Sequence, residues 1–84
     1  SDTTISVVDL TTLAARRADA WSEVASQRGI TTLSTGADPV MSVTDRTIVE
    51  SALDAVIDNA VKFSPATAVV EIGAHRSEGR CVLT

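Results

Sequence analysis

Between Asp45 and Pro65 the residues Ile48, Val49, Ala52, Leu53, Val56, Ile57, Ala60 and Phe63 recur at three- and four-residue steps. That period draws one apolar stripe down an amphipathic helix and argues against a strand, whose side chains alternate. Thr44 or Asp45 can cap the start by accepting a free backbone N–H, and Ser64-Pro65 ends it, because the residue before proline is steered out of helical geometry. A helix with one apolar stripe has to lay it on a second layer, which the rest of the chain must supply.

Strands can form that layer. Ile5-Ser-Val-Val8 is a β-branched run followed by Asp9, a second N-cap. From Leu10 to Arg28 the residues Leu10, Leu13, Ala14, Trp21, Val24 and Ala25 keep helical spacing, and Gly29 supplies a left-handed stop. Ile30–Thr35 and Val40–Val43 have strand composition and flank the turn chemistry of Gly36-Ala-Asp-Pro39. Ala68–Ala74 and Arg80–Thr84 read as an antiparallel hairpin about Arg76-Ser-Glu-Gly79. The order strand, helix, strand, strand, helix, strand, strand predicts an α/β (α+β) two-layer sandwich, with both helices on one face of a mixed sheet.

At 84 residues the chain is one small domain or a piece of one. Trp21 and Phe63 are its aromatics, so the core has to be built from Val, Leu, Ile and Ala. A net charge of -4, with the arginines scattered, gives no general attraction to nucleic acid. Cys81 is the single cysteine, which excludes an internal disulfide or a multi-cysteine metal site; it reads as a buried strand residue. No apolar run approaches the roughly 18 residues that span a bilayer. The last strand runs to Thr84 without a polar tail, so the stretch is expected to be a truncated piece of a longer domain or to be completed by another chain. Its sheet edge would then be open to self-association.

The polar residues of the second helix carry whatever chemistry the chain has. Ala55, Asn59 and Lys62 form one row beside the apolar stripe, and Asp54, Asp58 and Lys62 form another. An amide oxygen can ligate a hard cation that keeps most of its waters, a lysine can serve phosphate oxygens as a point charge, and an aromatic ring can face a base. Each residue also has a plainer reading: a solvated Asn59, an Asp58–Lys62 surface ion pair, and Phe63 as the end of the apolar stripe.

Taken whole, Leu53-Asp-Ala-Val-Ile-Asp-Asn-Ala-Val-Lys-Phe-Ser-Pro65 resembles the N-box of bacterial sensor histidine kinases, whose pattern is apolar, apolar, any, Asn-Ala, apolar, Lys, aromatic, Ser/Thr, Pro. Val43-Thr-Asp-Arg46 is similar to that family's strand-to-helix entry, and Val8-Asp-Leu10 to the start of its first helix. The resemblance implies that residues 1–84 are the N-terminal half of an ATP-binding domain of the GHKL, or Bergerat, fold, ending before the first glycine-rich box. It implies Asn59 as Mg²⁺ ligand, Lys62 as phosphate contact and Phe63 as a neighbour of the adenosine, with no catalytic residue in this stretch.

The parent it implies is a protein-histidine kinase anchored in the bacterial inner membrane, this domain lying in the cytoplasm. With ATP and Mg²⁺ such a kinase transfers the γ-phosphate to a histidine on a dimerisation domain and then to a response regulator. Two departures bear on that expectation. Ala55 stands where many members carry a second Asn, and no Asp-x-Gly-x-Gly or phosphate lid is present, so the stretch alone is expected to be inactive. His75, followed by Arg76-Ser77, lacks the helical acidic context of the family's phosphoacceptor and reads as a strand-end residue. The alternative is a degenerate GHKL relative that binds a partner protein without using ATP.

Overall fold

The computed structural model describes residues 4–36, 38–77 and 80–83. Burial of Cys81 and the Glu78-Gly79 tip of the expected hairpin lie outside the described residues. The elements are β1 (Ser6–Asp9), α1 (Leu10–Ser26), β2 (Thr31–Thr35), β3 (Met41–Thr44), α2 (Arg46–Phe63), β4 (Val69–Ser77) and β5 (Arg80–Leu83). This is the expected order, with shifted ends. β4 runs past Ala74 to Ser77, because Ala74, His75, Arg76 and Ser77 pair with β5.

Local chemistry explains the helix ends. Asp9 accepts from the Thr12 backbone N–H at 3.1 Å and from its hydroxyl at 2.9 Å. Those bonds, the backbone one foremost, hold the Asp9 carboxyl below the usual carboxylate range. α1 ends at Ser26, short of Arg28, because the chain tightens: Arg28 N–H reaches the Ala25 carbonyl and Gly29 N–H the Ser26 carbonyl, both at 2.9 Å. Gly29 then takes φ of 74°, as expected. Asp45, and not Thr44, caps α2; Thr44 is still paired in β3 with Ser6, while Asp45 Oδ1 accepts from Thr47 and Ile48 N–H at 2.9 and 3.2 Å.

The strands divide into two sheets. β1 and β3 make an antiparallel ribbon, and β2, β4 and β5 make a mixed sheet in which β2 is parallel and β5 antiparallel to β4. The reason lies in the connections. Both ribbon strands run directly into helix N-caps, so the ribbon lies at the N-terminal ends of the helices, whereas β2 and β4 each follow a helix C-terminus and return side by side. The Leu10 N–H bond to the Val40 carbonyl, 2.8 Å, and the Thr11 hydroxyl bond to the Asp38 carbonyl, 2.8 Å, fasten the start of α1 to the segment entering β3.

Leu10, Leu13, Ala14, Ala18 and Ala25 of α1 and Leu53, Ile57 and Val61 of α2 meet Val8, Ile30, Val40, Ile72 and Ala74 in one core. Both expected stripes need correction. Ile48, Val56 and Phe63 are 60%, 63% and 83% exposed, and Val24 of α1 is exposed too, whereas Val61 and Ala18 are buried. On α2 the apolar arc is wider than the line along which that helix touches its neighbours, so its outer border faces water. Phe63 is therefore not the buried end of a stripe. Among the described residues no helix is long and apolar enough to cross a membrane.

Thr67, in the link from α2 to β4, has φ of 73°, and its N–H donates to the Gly29 carbonyl at 2.8 Å. A β-branched residue in the left-handed region is strained, while asparagine tolerates it. Thr67→Asn is expected to stabilise the chain by about 0.5–1 kcal/mol, read as a higher urea midpoint with an unchanged slope.

Candidate functional site

The C-terminal half of α2 collects the residues singled out in the sequence. Asn59, Lys62 and Phe63 fall at steps of three and four, so they share one face, and all three are exposed. Lys62 Nζ lies 2.9 Å from Asp58 Oδ2, which makes the expected ion pair real; with side chains 55% and 38% exposed it is worth about 0.3–0.5 kcal/mol. The helix end is held by Ser64 N–H on the Ala60 carbonyl at 3.0 Å, and Arg28 Nη2 reaches the Lys62 carbonyl at 3.3 Å. These contacts leave the Asn59 amide and the Phe63 ring facing outward.

Beside that face runs an apolar cleft of about 190 Å³, lined by Ala52, Val56 and Ala60 of α2 and by Val70 and Ile72 of β4, with Glu71 at its rim. Val56 and Ala60 bracket Asn59 along the helix. Asn59, Lys62 and Phe63 do not line the cleft themselves; their face lies further round the helix. The exposed amide, ammonium and ring of that face suit a ligand with a flat apolar part and an anionic part.

For a metal, the donor set is small. Ala55, one turn before Asn59, is exposed and offers no oxygen, and Asp58 is engaged by Lys62. Among the described residues no group of three or more His, Cys, Asp or Glu converges. One amide oxygen fits a hard cation that arrives with phosphate and keeps its waters better than a self-contained protein site. His75 is exposed within β4.

Sequence reasoning missed the residues that hold α2 against α1. Asp54 Oδ1 accepts from Arg17 Nε at 2.8 Å and from Trp21 Nε1 at 2.9 Å, with Arg17 Nη2 at 2.8 Å from the same oxygen. Arg17 and Trp21 are four residues apart on α1, a spacing that marked them as neighbours; their target on another helix had no local signal.

No protein-family model matches the chain, and no curated protein matches it in sequence. Solved structures do. The chain is similar to the Acinetobacter baumannii histidine kinase AdeS, with a TM-score of 0.77 and 21% identity over 99% of this chain and 41% of that one. It is also similar to the cytoplasmic segment of histidine kinase QseC, with a TM-score of 0.76 and 22% identity over 81% of this chain and 46% of that one. The chain spans less than half the length of either neighbour. At these identities the likeness establishes the fold: the α+β arrangement of two helices over small sheets is one found within these kinase structures.

Proposed function

We propose that the chain is the N-terminal half of the ATP-binding domain of a sensor histidine kinase, and that the exposed face of α2 is its half of the nucleotide site. The observation that carries this reading is the placement of Asn59, Lys62 and Phe63 together on one exposed face of α2, with an apolar cleft further round the same helix. Asn59 offers its amide oxygen to the hydrated cation that accompanies the triphosphate. Lys62 turns from Asp58 toward phosphate, an exchange of one exposed ion pair for another that costs little. Phe63 gives the base an apolar surface. When bound, Mg²⁺ supplies the positive charge that offsets the phosphate oxygens during transfer.

On this reading the remainder of the kinase supplies the glycine-rich elements, and the γ-phosphate passes to a histidine on a dimerisation domain and then to a response regulator. The similarity to kinase segments in fold supports it. A second reading, a protein-binding relative that does not use ATP, is favoured by Ala55 alone, which leaves Asn59 without a companion ligand one turn away. The test is Asn59→Ala in the longer polypeptide that carries this chain. Mg-ATP affinity, measured by calorimetry, is expected to fall about tenfold or more, the value of a lost bond to a charged centre. Unchanged affinity and autophosphorylation would refute the assignment.

A further inference from the structure

A contact distant from the exposed face bears on how that face is aimed. α2 is buried along a narrow line, Leu53, Ile57 and Val61, spaced four residues apart. Beside that line, on its β4 side, packing gives way to the 190 Å³ cleft. A helix held along one line with open space beside it resists translation better than rotation about its own axis. Its roll therefore has to be fixed by something off that line.

Asp54 is placed to do so. It lies next to Leu53, on the side facing α1, where one carboxylate oxygen takes donors from Arg17 and Trp21 at 2.8–2.9 Å. The indole is rigid and half-buried against the core, and the guanidinium is planar, so the two donors fix the oxygen in direction as well as distance. Asn59 follows five residues later, about 140° around the helix, so the two side chains leave α2 on different sides. Any rotation that pulls Asp54 off its donors swings Asn59 by a similar angle. At a side-chain radius of roughly 5 Å, a roll of about 20° moves the amide by nearly 2 Å, enough to cost a positioned ligand about tenfold or more.

We propose that the Arg17–Trp21–Asp54 contact sets the roll of α2, making Asp54 a positioning residue for Asn59 and Lys62 in nucleotide binding. The proposal rests on the site reading given above, and the experiment separates the two. In the longer polypeptide, Mg-ATP affinity is measured for wild type, Asp54→Ala, Asp54→Asn, Asn59→Ala, the Asp54→Ala/Asn59→Ala pair, and Thr32→Val. The last removes a bond of 2.9 Å from the Thr32 hydroxyl to the Ala18 carbonyl, away from α2, and controls for general loss of stability.

Asp54→Ala is expected to weaken binding about tenfold. Asp54→Asn keeps an acceptor oxygen and is expected to stay within about threefold of wild type, as is Thr32→Val. Asp54→Ala should cost clearly less in the Asn59→Ala background than in the wild type, since it acts in part through that residue. Trp21 is the single tryptophan, so its emission reports directly whether the contact is lost in each variant. If Asn59→Ala abolishes binding while Asp54→Ala behaves like Thr32→Val, or if the two alanine effects simply add, the positioning role is overturned and the site stands. If Asn59→Ala binds as wild type, the site reading itself fails and the proposal falls with it.

Discussion

Ile57→Ala is expected to destabilise the chain by about 3–4 kcal/mol, while Val56→Ala, one residue earlier, changes stability by less than about 0.5 kcal/mol. The two residues differ little in size and share a helix, so the contrast isolates burial. Ile57 is 1% exposed, between Leu53 and Val61 on the line that holds α2 down; Val56 is 63% exposed on the outer border. Removing the Ile57 side chain forfeits its transfer free energy and also widens the adjoining cleft, which Ile57 helps to line. A domain of this size has a total stability of only about 4–12 kcal/mol, so the loss is a large share of it. Urea unfolding followed by far-UV circular dichroism measures both. Equal effects at the two positions would mean that α2 is rotated relative to the structure described.

Gly73→Ala carries the second large effect, about 2–3 kcal/mol of destabilisation. Gly73 is directly opposite Thr35 in the parallel pairing of β4 with β2. A methyl group built on Gly73 would lie 2.1 Å from Thr35 Oγ1 and 2.8 Å from the Thr35 carbonyl oxygen. The hydroxyl can rotate away; the carbonyl belongs to the strand and cannot move without disturbing the ladder. Combining Gly73→Ala with Thr35→Ala is therefore expected to recover about half of the loss, a coupling of roughly 1 kcal/mol in a double-mutant cycle. Full recovery would show that the hydroxyl is the whole obstacle, and none would place the obstacle in the backbone alone.

These two positions also show how far the sequence can be read. Signals confined to a few neighbouring residues came through: Asp9 as a cap, Gly29 as a left-handed stop, and Ser64-Pro65 as the end of α2. Each works through bonds or sterics within one turn of chain. Burial did not follow from pattern alone, since α2 is apolar over a wider arc than its neighbours cover; Val56 and Ile57 both fit the stripe, and only one is in the core. Val61 and Ala18 were missed for the converse reason, because a small residue at the stripe's margin is buried when the facing element comes close. The pairings of β1 with β3 and of β2 with β4, and the Asp54 contact, depend on partners 30 or more residues away, which no local period encodes.

The site divides in the same way. Steps of three and four were enough to place Asn59, Lys62 and Phe63 on a common face. The cleft on the same helix was not legible, because one of its walls comes from β4. Nor was the exposure of Phe63, which followed the apolar period without joining the core.

The makeup of that core has a thermal consequence. Four of its buried members, Ala14, Ala18, Ala25 and Ala74, are alanines, and no aromatic side chain is among those fully enclosed. Unfolding such a core wets less hydrocarbon per residue than a Phe- or Leu-rich one. Its heat-capacity increment should therefore fall at or below the usual value of about 12–15 cal/mol/K per residue. The stability curve against temperature becomes a low, broad dome. The folded state then gives way gradually on both warming and cooling, and its margin changes little across the range in which a cell lives.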